Sequence, residues 1–208
     1  MSHLDPLATP AGADRAGGAG RVAAVVLAGG TSSRLGGADK ASIELDGVTL
    51  LERALAATMT AVEVVVLGDQ VPTTRPVTWT MEDPRGGGPA AGLLAGLHRF
   101  ARPPELVQVL AVDMPRVTAG TFARLADALA AEPEADGALL VDETGRRQPL
   151  CGLYRRDALL RAAPDAVEDW HGLAIHRLLA GTRLLEVAAY GGEERDIDTW
   201  EDLRRERT

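Results

Sequence analysis

The sequence predicts an α/β fold in which a mostly parallel sheet carries helices on both faces. Short, almost wholly apolar runs alternate with helically spaced apolar residues from position 21 onwards. Such alternation requires crossover connections, which produce parallel strands covered by helices. The length of 208 residues, with 46% hydrophobic and 25% charged residues, fits one ordinary globular domain.

The individual elements follow from hydrophobic spacing. Residues 22–28 form an apolar run that ends at Gly29 and Gly30, as expected of a strand buried on both faces. A helical spacing over residues 50–59 precedes a strand at 62–67, which is rich in β-branched residues. The further predicted elements are strands at 77–81, 106–112, 138–141, 150–154 and 184–188, and helices at 90–100, 122–131, 156–162, 174–179 and 200–206.

Composition sets the domain limits and excludes several classes of protein. Residues 1–20 are rich in Ala, Gly, Pro and Asp without a hydrophobic period, so we predict a disordered tail followed by one domain over 21–208. A net charge of −8 argues against a broad nucleic-acid-binding surface. A single cysteine excludes an internal disulfide framework and a Cys-cluster zinc site. With no apolar run long enough to span a membrane and no signal peptide, we expect a cytoplasmic protein without nucleic-acid or membrane partners.

The glycine-rich stretch after the first strand, residues 29–40, is the first candidate site. Its small residues let backbone N–H groups approach an anion, and Arg34 and Lys40 add positive charge. Lys40 is the only lysine among 22 basic residues, which favours a specific role as a phosphate-binding point charge. The spacing matches neither the dinucleotide fingerprint nor the P-loop, and a flexible loop with two solvated cations is the alternative.

Acidic residues follow two later strands. Asp83 lies just before a helix that starts near Pro89, where three glycines leave the helix N-terminus open to an anionic ligand, although Asp83 could equally cap a tight turn. Asp113 directly follows the buried strand at 106–112. It is either a turn cap or a ligand for Mg²⁺, which binds one or two carboxylates together with substrate phosphates.

A second acidic pair lies near the end of the chain. Asp196 and Asp198 alternate and therefore point to the same side of an extended segment, where they could complete a metal site with Asp113. A capped acidic turn is the alternative, since Thr199 is placed to cap the last helix. Cys151 lies in an apolar run and is interpreted as a core residue rather than a nucleophile.

Five motifs together resemble one family. They are LAGGTSSRLGGADK at 27–40, the ED…GGGPAAG stretch at 82–92, DMP at 113–115, QPLCGLY at 148–154 and DIDTWEDL at 196–203. Their order resembles that of nucleotidyltransferases, specifically the molybdenum cofactor guanylyltransferases. The resemblance implies a three-layer α/β/α, Rossmann-like domain. It also implies Mg²⁺-dependent transfer of GMP from GTP, as co-substrate, to molybdopterin with release of pyrophosphate.

The resemblance also implies roles for individual residues. Leu27, Ala28, Gly29 and Gly30 would bind the nucleotide, Lys40 the GTP phosphates, Asp83 the nucleotide and Asp113 the Mg²⁺. We further assign Asp198 to the metal, and Arg34, Lys40 and Asp113 to catalysis. The pair Gly29-Gly30 resembles the guanylyl branch, since cytidylyl relatives usually read LAAG there. The family often has Asn within 66–68 and at 196 and 198, where this chain has none.

The implied mechanism is an in-line attack of the acceptor's terminal phosphate on the α-phosphorus of GTP. Because a phosphate nucleophile is already anionic, no general base is assigned, and catalysis would come from positioning and charge stabilisation. The alternatives are a cytidylyltransferase or other nucleotidyltransferase with a different acceptor, and a non-catalytic nucleotide-binding accessory protein. The implied partners are GTP, a molybdopterin-type acceptor and, in transient contact, other cofactor-biosynthesis or acceptor proteins.

Overall fold

A computed structural model describes residues 21–29, 39–81 and 86–207. The predicted tail at 1–20 therefore lies outside the described residues. The strands are β1 (Val22–Leu27), β2 (Glu44–Leu45), β3 (Val48–Thr49), β4 (Val64–Leu67), β5 (Thr78–Thr80), β6 (Leu106–Ala111), β7 (Gly137–Val141), β8 (Arg147–Arg155) and β9 (Leu184–Ala188). The α-helices are α1 (Leu50–Ala57), α2 (Pro89–Leu97), α3 (Ala119–Ala131), α4 (Arg156–Ala162), α5 (Ile175–Leu178) and α6 (Trp200–Glu206). Two 3₁₀ helices cover Lys40–Ser42 and Val167–Trp170.

Seven strands form the central sheet, in the order β5-β4-β1-β6-β8-β7-β9. Strand β8 is antiparallel to its neighbours β6 and β7, and the other pairings in this sheet are parallel. The exception has a local cause, because β7 and β8 are joined by a short hairpin. In that hairpin the Asp142 carboxylate accepts backbone hydrogen bonds from Thr144 and Arg146, and Gly145 takes a φ of 82°. The predicted mostly parallel sheet is confirmed.

Helices cover both faces of this sheet, so the predicted three layers are present. Neighbouring residues of β1 enter opposite cores: Val26 packs in the cluster that includes α1, α3 and α6, and Val25 packs in the cluster that includes α2, α4 and α5. Both valines are fully buried. A central parallel strand with two buried faces explains why the run at 22–28 is continuously apolar rather than alternating.

A small hairpin, β2–β3, is an element that the hydrophobic spacing did not predict. Asp46 and Gly47 form its turn with φ angles of 55° and 77°, the left-handed conformation that two-residue hairpin turns require. The backbone N–H of Leu50 donates to the Ile43 carbonyl oxygen at 2.8 Å and ties the hairpin to the start of α1. The hairpin therefore fixes the chain that follows Lys40.

Candidate active site

The ends of four parallel strands meet at one edge of the sheet. The backbone N–H groups of Ala28 and Gly29 donate to the Leu67 carbonyl oxygen at 2.8 and 2.7 Å, and that of Val112 donates to the Leu27 carbonyl oxygen at 3.0 Å. These bonds continue the β4–β1–β6 ladder past the strand ends. They place residues 27–29 beside the chain that leads to Asp113, as the prediction of a site at this edge requires.

Gly68 lies at the end of β4, in the stretch where the family often has Asn. Its φ is 151°, and a Cβ at this position would lie 3.2 Å from the backbone nitrogen of Gly29 and 3.3 Å from the carbonyl carbon of Ala28. A side chain here would press against the first strand end. Glycine at this position therefore lets the β1 and β4 ends approach closely.

The centre of the site is an ion-paired cluster around Lys40. Its Nζ donates to Asp113 Oδ2 and to Asp198 Oδ1, both at 2.7 Å. The Lys40 side chain is 16% exposed, compared with 21% for Asp113 and 47% for Asp198. Burial lowers the pKa of Lys40, but hydrogen bonds and charge interactions with the two carboxylates outweigh it, so the pKa is raised above 10.5. Lys40 is therefore a fully charged ammonium at neutral pH.

The local structure fixes the backbone at Lys40. The side chain of Asp39 caps the 3₁₀ helix Lys40–Ser42, accepting from the backbone N–H of Ala41 at 3.1 Å and the Ser42 hydroxyl at 2.9 Å. Ala41 is buried in the core cluster that contains α1. The sequence therefore positions the base of the Lys40 side chain through a cap on one side and a buried neighbour on the other.

Asp198 reaches Lys40 because Ile197 anchors the chain between the two late aspartates. Ile197 is fully buried, and its backbone N–H donates to the Asp113 carbonyl oxygen at 2.9 Å. The predicted cap at Thr199 is present: its hydroxyl accepts from the Asp202 backbone N–H, and the Asp202 carboxylate accepts from the Thr199 backbone in return. The segment is thus held by the core in its middle and by α6 at its end.

Asp196 is a third carboxyl group of the same cluster. Desolvation raises its pKa, and the nearby charges of Asp198 and Asp113 raise it further, although the residue as a whole remains exposed. Asp196 is therefore electrostatically linked to the two carboxylates that hold Lys40.

Glu193 was not found by the sequence reasoning, although it supports this segment. The residue is 6% exposed and its carboxylate accepts from the Thr121 hydroxyl, the Arg124 guanidinium and the Tyr190 backbone N–H. Thr121 and Arg124 belong to α3, which follows Asp113 in the chain. A glutamate in a run of glycines and charged residues gives no local signal of burial, so only the tertiary contacts show it.

The predicted site residues separate into two groups. Leu27, Ala28 and Gly29 lie at the strand edge, and Lys40, Asp113 and Asp198 form the ion-paired cluster; Gly30, Arg34 and Asp83 lie outside the described residues. Cys151 is buried in β8. Burial raises the pKa of its thiol, so it remains protonated and unreactive, as the interpretation as a core residue expects.

The donor set of the cluster fits a hard divalent cation. Asp113 and Asp198 each present a carboxylate oxygen to the same point, now held by the Lys40 ammonium. Across the described ranges, no three carboxyl, imidazole or thiol groups form a ready metal site. Two carboxylates completed by substrate phosphate oxygens are a usual arrangement for Mg²⁺.

Comparison with known proteins shows that this fold belongs to a nucleotidyltransferase. The sequence matches the model of the MobA-like NTP transferase domain over residues 24–187, and the chain belongs to this family. Its relatives include a molybdenum cofactor guanylyltransferase of Acidiphilium cryptum, 40% identical over 176 residues that cover 82% of this chain and 79% of the relative. A second such enzyme, from Cupriavidus necator, is 32% identical over 206 residues that cover 90% of this chain and 96% of the relative. The predicted family and the nucleotidyltransferase class are thereby confirmed.

Solved structures support the fold. Molybdopterin-guanine dinucleotide biosynthesis protein A of Archaeoglobus fulgidus superposes with a TM-score of 0.68 at 20% identity, covering 88% of this chain and 96% of that one. The 2-C-methyl-D-erythritol 4-phosphate cytidylyltransferase of Thermus thermophilus gives 0.61 at 20% identity, covering 90% and 97%. Because a guanylyl-branch and a cytidylyl-transferring protein match about equally well, the likeness shows the α/β fold and does not select the base. In the described part of the chain no helix is long and apolar enough to cross a membrane.

Proposed function

We propose that this chain transfers GMP from GTP to the terminal phosphate of molybdopterin. The observation that carries the proposal is the convergence of Lys40, Asp113 and Asp198 at the strand edge of a chain that belongs to the MobA-like family. In the reaction an oxygen of the acceptor phosphate forms a bond to the α-phosphorus of GTP, while the bond from that phosphorus to the β-phosphate oxygen breaks. Pyrophosphate leaves with the electron pair of the broken bond.

The chain's own residues bind and orient the two substrates. Leu27, Ala28 and Gly29 form the edge along which the nucleotide lies, with Gly30 and Asp83 assigned to the same pocket. The absence of a side chain at Gly68 lets the two strand ends lie close together beside Gly29. Lys40, helped by Arg34, offsets negative charge on the departing pyrophosphate, and its raised pKa keeps it charged over the whole neutral range. No proton needs to be removed, because the attacking phosphate is already anionic.

Asp113 and Asp198 are the residues that would hold Mg²⁺. When bound there, the ion would neutralise phosphate oxygens and stabilise the charge that develops in the transition state. We propose that the reaction takes place in the cytoplasm, where GTP is available. Delivery of the finished cofactor would involve transient contact with other cofactor-biosynthesis or acceptor proteins.

Two measurements test the proposal. The first asks which nucleotide stabilises the fold, and the second asks where the labelled phosphates of GTP go. Thermal unfolding is compared with GTP, CTP, ATP and UTP, each with and without Mg²⁺; a ligand at 100 times its Kd stabilises the fold by about 2.7 kcal/mol. The protein is then incubated with molybdopterin and with GTP that carries ³²P at the α- or the γ-phosphate. We expect selective stabilisation by GTP, α-label in the product and γ-label in pyrophosphate.

Each other outcome identifies a different function. Selective stabilisation by CTP with label transfer from CTP would make the chain a cytidylyltransferase. Binding of GTP without release of pyrophosphate would make it an accessory nucleotide-binding protein. Transfer of GMP to an acceptor other than molybdopterin would keep the enzyme class and replace the acceptor.

A further inference from the structure

We propose that Lys40 acts as an internal counter-ion that holds the cation position between Asp113 and Asp198 until nucleotide phosphates draw it away. The inference rests on the proposed function, since it concerns the metal and the nucleotide of that reaction. It makes metal binding depend on nucleotide binding through a single side chain. The chain thereby binds the divalent ion with the nucleotide and only weakly before it.

The ion pairs carry the first step of the argument. The Lys40 ammonium lies 2.7 Å from one oxygen of Asp113 and 2.7 Å from one oxygen of Asp198, which is the distance of charge-assisted hydrogen bonds. Mg²⁺ binds its oxygen ligands at about 2.0–2.1 Å. The ammonium occupies the point between these two oxygens, and a divalent ion at that point would overlap with it and be repelled by its charge. A metal that bridges the two oxygens there has to displace Lys40.

Burial and charge make that displacement costly. The side chains of Lys40 and Asp113 are 16% and 21% exposed, so solvent screens this pair only partly. A divalent ion that entered beside an ammonium would meet repulsion, and an ammonium that left would lose two charged partners at once. In the absence of an alternative anion, Lys40 is therefore the favoured cation at this position.

A bound nucleotide supplies that alternative anion. Lys40 directly follows the glycine-rich stretch assigned to the phosphates, and its base is fixed by the Asp39 cap while its four-carbon stem can turn. When its ammonium bonds to phosphate oxygens, Asp113 and Asp198 become free for the metal. The phosphates also add oxygen ligands, which two carboxylates alone lack. By linkage, the nucleotide raises metal affinity by the same factor by which the metal raises nucleotide affinity.

The residue type fits this role. The chain has 22 basic residues and Lys40 is its only lysine, so arginine is the default cation of this sequence. A guanidinium fork would hold both carboxylates with several fixed hydrogen bonds, whereas an ammonium is a compact charge that can change partners. An exchangeable counter-ion therefore favours lysine at this one position.

The test measures Mn²⁺ binding rather than turnover. The loss of the free Mn²⁺ signal in electron paramagnetic resonance is followed for the full chain, for Lys40→Met and for Lys40→Arg as the matched cationic control. Each is titrated with and without a GTP analogue with a methylene group between the α- and β-phosphates. Thermal unfolding of each variant shows that it is folded.

We expect Lys40→Met to bind Mn²⁺ without nucleotide more tightly than the wild type, by a factor on the order of 10–100, the usual range for coupled sites. Lys40→Arg should bind Mn²⁺ without nucleotide as weakly as the wild type, because it keeps the positive charge. Equal Mn²⁺ affinity of the wild type and Lys40→Met without nucleotide would overturn the proposal.

A second measurement needs no substitution at Lys40 and compares the wild type with Asp198→Asn. Lysine labelled with ¹⁵N at Nζ gives a single side-chain ammonium signal in this chain. Asp198→Asn should shift that signal in the ligand-free protein. Mg²⁺ alone should leave it in place, and Mg²⁺ with the GTP analogue should move it. Displacement by Mg²⁺ alone at the concentration that suffices with the analogue would contradict the proposal.

The two proposals fail in different ways. If the chain transfers GMP but Lys40→Met gains no Mn²⁺ affinity, the internal counter-ion is wrong and the proposed function stands. If the chain neither binds GTP nor releases pyrophosphate, the proposed function fails. A gain of Mn²⁺ affinity in Lys40→Met would then still show that Lys40 holds the cation position.

Discussion

Lys40 is held by acidic residues that lie 73 and 158 positions away in the chain. Each of the three side chains alone has an ordinary alternative role, as a solvated cation or as a cap of a turn. The structure places the Lys40 ammonium 2.7 Å from a carboxylate oxygen of each aspartate, so Lys40 is paired rather than solvated. The chemistry of this site is therefore a property of the group of residues.

At this scale we predict that Lys40→Ala and Asp113→Ala each lower the rate of GMP transfer by about 10²–10³, the usual effect of removing one preorganised electrostatic group. Both substitutions remove charge that faces the phosphates in the proposed complex. The measurement is kcat/KM for pyrophosphate release with GTP and molybdopterin. Glu186→Gln is the control, since Glu186 pairs with Arg147 at an exposed position of β9. Near-wild-type activity of either variant would remove the role assigned to that residue.

Cys151 gives a second prediction for a single residue. It is completely buried, and desolvation raises the pKa of its thiol. Since the thiolate is the reactive form, we expect no reaction of the native protein with a thiol reagent such as Ellman's reagent at mildly alkaline pH. In denaturant, one thiol per chain should react. Rapid labelling of the native protein would show that β8 opens readily.

At the scale of elements, the segment between β9 and α6 supplies the carboxylates of Asp196 and Asp198. The part of the chain that follows β6 contacts this segment at three points. Arg116 donates to the Gly191 carbonyl oxygen, α3 binds Glu193 through Thr121 and Arg124, and Asp113 itself accepts from the Ile197 backbone. The stretch of chain that supplies Asp113 therefore also positions Asp198. The distance between the carboxylates of Asp113 and Asp198 therefore depends on these three contacts.

We predict that Glu193→Gln destabilises the fold by about 2 kcal/mol at neutral pH, because it removes a buried charge that accepts charge-assisted hydrogen bonds. Burial raises the pKa of Glu193, but hydrogen bonds from Arg124 and Thr121 outweigh it, so the pKa lies below 4.5. A carboxyl group with a lowered folded pKa stabilises the fold above its unfolded pKa and loses that effect as the pH falls through the folded pKa.

Urea unfolding of the wild type and Glu193→Gln at several pH values measures this effect. The difference in unfolding free energy should be constant at neutral pH and shrink in acid below about pH 4.5, the ordinary glutamate value. Glu186→Gln again serves as the control and should show little difference at any pH, since exposed ion pairs contribute little. A difference for Glu193→Gln that is independent of pH would exclude a role for its charge.

The whole molecule is organised by one sheet with a core on each face. The strand order places β1 between β4 and β6. The edge assigned to the nucleotide, with Gly29 beside Gly68, therefore lies on the β4 side, and Lys40 and its carboxylates lie on the β6 side.

Residues 1–20 give a prediction at this scale. Their composition predicts disorder, and the family match begins only at residue 24. We therefore expect a variant that lacks residues 1–20 to keep its unfolding midpoint and its Kd for GTP. Both are measured on the same preparation as the full chain. A lower midpoint would show that the tail packs on the domain, and a weaker Kd for GTP would assign it to the site.

The sequence by itself determined the fold class and the alternation of elements, and it predicted a site at the carboxyl ends of the strands. Hydrophobic period and strand burial are local properties, and the predicted bounds of β9, α4 and α6 agree with the structure to the residue. The β2–β3 hairpin was missed, although Asp46-Gly47 is a local turn signal.

The tertiary structure decided which side chains meet. Asp113 and the two late aspartates were a candidate metal site, with a capped acidic turn as the alternative, but the place of Lys40 between Asp113 and Asp198 depends on contacts across the molecule. The same holds for Glu193, whose burial comes from α3. Such contacts are set by the order of strands and the packing of loops between distant parts of the chain. Spacing along the sequence does not encode them, because it records only which neighbours share a face.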